Sequence, residues 1–173
     1  MNVIFETEHL LIREFEIEDA TYLCELDSNP LVMKHISKDI KHFLPLEYGL
    51  EKVKKQILRY KQNDGLGVWV VIQKETFEFM GWVCLNELDS SHLIEIGYRY
   101  LPSYWGKGYG SEVAKVVLNY GLNTLELNRV VAIAMKDNKA SRRIIEKIGM
   151  SYVGIRNFYG KDVVLYEKYR TQN

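Results

Sequence analysis

The sequence predicts a mixed α/β layered domain, and three observations carry that reading. β-branched and aromatic runs of strand length alternate with segments of helical period. A glycine-rich turn joins one such strand to a helix. Charged and apolar residues are balanced as in a globular chain. Its 173 residues suit a single domain, 1–173, with one sizeable core.

The elements follow in chain order. Residues 10–15 read as a first strand, and 18–27 as a helix with acids in its first turn. Asn29-Pro30 opens a second, short helical piece. Residues 36–46 lack a clear period and read as a mobile loop. Residues 47–62 form a helix that is polar and lysine-rich on one side. The period then changes to that of strands, at 67–73, 79–88 and 93–101. Residues 110–125 read as a helix burying Val113, Val117, Tyr120 and Gly121. Residues 129–135 are a buried strand and 138–148 a helix that Gly149 terminates. Strands at 152–159 and 163–169 close as a hairpin around Gly160-Lys161.

Composition excludes several functions. Lysine plus arginine equals aspartate plus glutamate at 23 each, which argues against a general nucleic-acid grip. Four scattered histidines and no Cys-x-x-Cys predict no metal site. Cys24 and Cys84 sit in apolar surroundings and read as buried free thiols of a reducing compartment. The longest apolar run, 130–135, is too short to span a bilayer, and the amino terminus lacks a signal-peptide pattern. A cytoplasmic protein without membrane partners is expected.

The segment Tyr98-Arg99-Tyr100-Leu101-Pro102-Ser103-Tyr104-Trp105-Gly106-Lys107-Gly108-Tyr109-Gly110-Ser111 is the most telling. Three glycines at every second position leave backbone N–H groups bare, and a helix opens behind them. Free donors and a helix dipole together suit a pyrophosphate. Lys107 adds a cation. The spacing is neither that of a P-loop nor that of a dinucleotide fingerprint. The alternative is a strand-to-helix turn that needs positive φ.

About thirty residues on lies Asn138-Lys139-Ala140-Ser141-Arg142-Arg143-Ile144-Ile145-Glu146-Lys147-Ile148-Gly149-Met150. Together with Phe5-Glu6-Thr7-Glu8-His9-Leu10-Leu11-Ile12-Arg13, Glu18-Asp19-Ala20 and Asn29-Pro30-Leu31-Val32-Met33, these segments resemble the GCN5-related N-acetyltransferase (GNAT) family. The resemblance is to its branch of ribosomal-protein N-terminal acetyltransferases. It implies a strongly twisted sheet of about seven strands flanked by about four helices. That sheet would splay between the strands at 93–101 and 129–135. It also implies acetyl-CoA as cosubstrate. The backbone of Tyr98, Arg99 and Tyr100 would bond the pantetheine arm as a false strand. Gly106, Lys107, Gly108, Tyr109, Gly110 and Ser111 would receive the pyrophosphate. Asn138 matches the position that hydrogen-bonds the arm. Arg142 and Arg143 are candidates for the 3′-phosphate, against the alternative of a solvated helix face. Where many relatives begin the loop with Gln or Arg, this chain has Trp105, which reads as a packing residue.

Acetyl transfer to an amine needs a neutral amine, a stabilised thioester oxygen and a protonated leaving thiolate. An α-amino group of pKa about 7.8 is roughly 15% neutral at pH 7, whereas a lysine amine is neutral only about 0.04% of the time. Glu95 is the candidate base: strand alternation sets it on one face with Gly97 and Arg99. The family often carries a glutamate there. The alternative is an ion pair with Arg99 or Arg129. Many relatives place an acidic tyrosine where this chain has Ile145. The resemblance instead nominates Ser141 as proton donor, with Tyr98, Tyr109 and Tyr159 as alternatives. Ser141 could also simply bond its local backbone. Trp69, Trp82, Phe158 and Tyr159 are either cleft or core. Three acceptors stay open: a protein N-terminus, a polyamine such as spermidine, and an antibiotic or amino acid. A non-catalytic acyl-CoA-binding module is the reading from another class. The family branch is often dimeric, so a homodimer is an expected partner.

Overall fold

The computed structural model describes residues 2–62 and 64–171. Met1, Asn63, Gln172 and Asn173 of the predicted 1–173 domain lie outside the described residues. The strands are β1 (Val3–Glu6), β2 (Leu10–Arg13), β3 (Gly67–Gln73), β4 (Phe79–Glu87), β5 (Ile94–Tyr100), β6 (Arg129–Ala134), β7 (Ser151–Phe158) and β8 (Lys161–Tyr169). The helices are α1 (Ala20–Ser28), α2 (Pro30–Met33), α3 (Leu46–Tyr60), α4 (Tyr109–Asn119) and α5 (Lys139–Lys147).

One sheet takes the order β1-β2-β3-β4-β5-β6-β8-β7. Eight strands replace the expected seven or so, and five helices the expected four. The extra strand is β1, which pairs antiparallel with β2 through Phe5 opposite Ile12. Four residues on a sheet edge are too few to show a period. The short α2 is set by its cap: Asn29 Oδ1 accepts from the amides of Leu31 (3.0 Å) and Val32 (3.4 Å), and Pro30 begins the turn. No helix or strand forms from 34 to 45.

Each sheet face carries its own core. On one, Val113, Ala114 and Val117 of α4 and Ile145 of α5 pack on Val83, Leu85, Ile96 and Tyr100. On the other, Leu23 and Leu26 of α1 and Val53 of α3 pack on Val70, Ile72 and Phe79. Helices α1 and α3 approach so closely that a Cβ on Gly49 would fall 2.1 Å from the Ala20 carbonyl oxygen. A buried bidentate pair, Arg13 to Asp19 at 2.6 and 2.8 Å, ties β2 to the entry of α1. Helix α4 was expected to run to 125; it ends at Asn119 and continues as a wide π turn to Thr124. Gly121 lies in that turn, where a side chain would press on Leu85 at 3.1 Å. Helix α5 stops at Gly149, whose φ is 82°.

All neighbouring strands are antiparallel except β5 and β6. Among the described residues, these two register only where Glu95 lies opposite Val131. The register of β5 with β4, by contrast, runs unbroken from Ile94 to Tyr100. The sheet therefore forks after Glu95, and the β6-facing edge of β5 stays without a strand up to Tyr100. An unpaired edge inside a sheet leaves backbone donors and acceptors to be satisfied by something else.

Candidate active site

The fork ends at the glycine loop. After Tyr100 the chain makes one tight turn, Pro102–Tyr104, and enters the loop. Gly106 and Gly108 have φ of 76° and 90°, and a Cβ on either would meet nothing within 4 Å. Positive φ turns the backbone outward, and the open space leaves room for a bulky anion. At Gly110 the missing side chain serves packing, since a Cβ there would sit 2.9 Å from Ile144 Cδ1 of α5, while its N–H stays free. Among the described residues, the N–H groups of Gly108, Tyr109 and Gly110 donate to nothing, while those of Ser111 and Glu112 bond the Gly108 carbonyl. Bare donors thus point off the tip of an eleven-residue helix. Lys107 is exposed, with its Nζ 5.8 Å from the Tyr104 ring centroid. The residues present fit a pyrophosphate.

Trp105 is half exposed, and its indole donates to the Tyr100 carbonyl at 2.8 Å. That bond ties the loop to the end of β5. The Tyr100 ring is buried against Gly110, and the Tyr98 ring stacks on it at 6.2 Å. Arg99 points to the other face. Its guanidinium pairs with the buried Asp27 and lies 5.0 Å from the Trp82 ring. Asp27 also accepts from Tyr48 (2.7 Å) and Lys52 (3.2 Å). Burial pushes the Asp27 carboxyl up, but Arg99 and Lys52 outweigh it and hold the carboxyl below its ordinary value.

Across the fork, Asn138 caps α5 by accepting the Ser141 amide at 3.1 Å. The Tyr98 hydroxyl lies 3.1 Å from the Ser141 carbonyl and 3.3 Å from its Oγ. Two hydroxyls and one side-chain amide therefore converge from β5 and α5 on the same gap. Burial pushes the Tyr98 phenol up, so it keeps its proton. Arg142 faces away from the loop; it donates to the Tyr166 hydroxyl (2.9 Å) and the Lys136 carbonyl (3.2 Å). Arg143 is exposed on the helix.

Glu95 is half-buried at the closed end of the fork. The alternative ion pairs do not form: Arg99 binds Asp27, and Arg129 binds Glu167 at 3.2 Å. Its partner is Tyr159, whose hydroxyl donates to Oε1 at 3.2 Å. Burial pushes the Glu95 carboxyl up to about 7; the Tyr159 bond opposes this and the charge of Asp89 adds to it. Tyr159 stands in the β7–β8 turn, more than sixty residues from Glu95. Sequence reading reached it only as one of several tyrosines and cleft aromatics, and passed over Asp27 and Asp89. Of the other aromatics, Trp69 is core, Trp82 packs beneath Arg99, and Phe158 packs against Leu88, Val131 and Leu165. Cys24 and Cys84 are buried and unpaired. Among the described residues, no group of three or more His, Cys, Asp or Glu gathers as a metal would require, and no helix is long and apolar enough to cross a membrane.

Residues 9–151 match the acetyltransferase (GNAT) domain family. The chain is 29% identical over 157 residues to an N-acetyltransferase of Bacillus subtilis strain 168, YoaA, covering 90% of this chain and 87% of that one. It is also 29% identical over 145 residues to the spermidine N(1)-acetyltransferase of Escherichia coli K12, covering 83% and 73%. A GNAT-family acetyltransferase structure from Bacillus anthracis superposes with a TM-score of 0.80 at 28% identity, over 98% of this chain and 99% of that one. RimL, a ribosomal L7/L12 α-N-protein acetyltransferase solved with coenzyme A, shares the fold with a TM-score of 0.80 at 18% identity, over 97% and 98%. The forked sheet, the glycine loop and these matches agree: the chain belongs to the GNAT family of N-acetyltransferases.

Proposed function

We propose that this chain, acting as one domain, transfers the acetyl group of acetyl-CoA to the primary amine of a protein N-terminus or small molecule. Attack is direct, in a complex holding both substrates. The observation that carries the reading is Glu95 at the point where β5 and β6 part, its carboxyl raised to about 7.

The cosubstrate supplies an activated acetyl thioester. The chain's own groups do the rest. The free edge of β5 at Tyr98, Arg99 and Tyr100 bonds the arm. Gly106, Lys107, Gly108, Tyr109, Gly110 and Ser111 hold the diphosphate, and Asn138 steadies the arm from the other side. Glu95 takes the proton that the attacking amine must lose. Ser141, with Tyr98 beside it, presents a hydroxyl where the leaving sulfur needs a proton.

A base near pKa 7 favours an α-amino acceptor. Moving a proton to it from an ammonium of pKa about 7.8 is uphill by about 1 kcal/mol; from one of about 10.4 it is uphill by about 4.6 kcal/mol. Two buried free thiols support the reading of a reducing, cytoplasmic compartment. An amine panel of N-terminal peptides, amino acids and spermidine, read as thiol release, tests the proposal. Peptides should turn over fastest. Glu95→Gln and Ser141→Ala should each lower kcat by about tenfold or more. Coenzyme A binding without thiol release on any amine would instead mark a binding module.

A further inference from the structure

Two turns meet at the closed end of the fork. The β4–β5 turn carries Asp89 at φ 43° and Ser90 at 56°; the β7–β8 turn carries Tyr159 at 52° and Gly160 at 68°. Left-handed backbone in non-glycine residues persists where surrounding bonds hold it. Asp89 and Tyr159 are both exposed, so burial does not hold them. They hold each other. The Tyr159 amide donates to the Asp89 carboxylate, and the Asp89 amide donates to the Tyr159 phenolic oxygen at 3.0 Å. A backbone N–H is a fixed donor. It occupies the phenol's acceptor side and leaves the single hydroxyl hydrogen for Glu95 Oε1, at 3.2 Å. The turns belong to opposite arms of the fork, β4 and β5 on one and β7 and β8 on the other.

We propose that Asp89 is a positioning residue for acetyl transfer: it clasps Tyr159 across the two arms of the sheet and so aims the Tyr159 hydroxyl at Glu95. The inference rests on Glu95 as the base. The groups that bear on Glu95 are Asp89 and Tyr159 from the two turns and the Cys84 thiol from β4; on β6, Arg129 is engaged by Glu167.

The test compares full-length Asp89→Ala, Asp89→Asn, Tyr159→Phe, the Asp89→Ala/Tyr159→Phe double variant and Glu95→Gln. Each is read as thiol release across pH, with coenzyme A binding by calorimetry. Asp89→Ala should lower kcat by about tenfold and leave coenzyme A binding within about twofold. Asp89→Asn keeps an acceptor for the Tyr159 amide and should retain most of kcat. Its acidic limb should move to lower pH, because a negative charge beside Glu95 is gone. Tyr159→Phe should lower kcat as far as Asp89→Ala does, and the double variant should have a kcat no lower than either single one. Wild-type kcat and pH profile in Asp89→Ala, beside an inactive Glu95→Gln, overturn the clasp and leave the base in place. Loss of coenzyme A binding in Asp89→Ala also overturns it, since the turn would then be merely structural. Full activity in Glu95→Gln removes the base itself, and the clasp with it.

Discussion

Glu95 on β5 stands opposite Val131 on β6, and among the described residues no later position of β5 has a partner across that gap. The carboxylate thus occupies the last paired position before the sheet opens. It is close enough to solvent to exchange a proton and buried enough for its carboxyl to rise to about 7.

The first prediction concerns pH. A base must be deprotonated to act, so kcat/KM should rise through pH 7 along an acidic limb set by Glu95. Tyr159 donates to the charged carboxylate and so lowers its pKa. Tyr159→Phe should move the limb to higher pH. A limb that stays put would assign it to another group.

The same shift has a stability consequence of opposite sign. A carboxyl whose folded pKa lies above its unfolded value of about 4.3 favours the folded state fully only below that value, and the contribution disappears as pH rises through about 7. Glu95→Gln should therefore be more stable than the wild type at pH 8, by on the order of 3–4 kcal/mol, and equally stable at pH 4. Equal melting temperatures at pH 8 would show that burial does not strain this group.

Two glycines should separate binding from stability. Gly108 has φ of 90° and open space around it, so Gly108→Ala carries backbone strain of about 1–2 kcal/mol and distorts the loop. It should raise KM for acetyl-CoA several-fold with a small change in melting. At Gly49 the added Cβ meets backbone 2.1 Å away. Gly49→Ala must push α1 off α3 and should destabilise by about 3 kcal/mol or more. Denaturant unfolding and KM measured on both variants check the contrast.

The Asp27 cluster should behave as a structural ion network. Asp27 is buried and holds Arg99 and Lys52. Asp27→Asn leaves both cations unbalanced and should destabilise by about 2–4 kcal/mol at pH 7. Because the folded carboxyl sits below its ordinary value, its stabilisation is present above about pH 4 and is lost as pH falls through the folded pKa. Wild type and variant should converge in melting temperature at acidic pH.

A thermal comparison probes the loop. At about a hundred times its Kd, coenzyme A should stabilise the fold by about 2.7 kcal/mol. ATP carries a polyphosphate but no pantetheine for the free edge of β5, and should raise the melting temperature much less.

How much of this was legible depended on the range of the physics involved. The strand at 67–73 could be read to its ends, because five consecutive apolar residues in it are β-branched or aromatic and little else suits such a run. Strand β1 was missed because its four edge residues are half exposed and lack a period. Gly106 and Gly108 announced themselves, since alternating glycines have few other uses. Asp89 did not, because it acts through Tyr159, seventy residues away.

Local pattern alone thus reached the helices and every strand but β1, marked the glycine loop, and pointed to the family the chain resembles. Those are properties of near neighbours: side-chain period, φ preference and capping. The folded chain settled the rest. It parted β5 from β6 after Glu95, gave Arg99 to Asp27 rather than to Glu95, turned Arg142 away from the loop, and brought Tyr159 to the carboxylate. A proton's affinity depends on dielectric and on partners within a few ångströms, and here those partners come from distant parts of the chain.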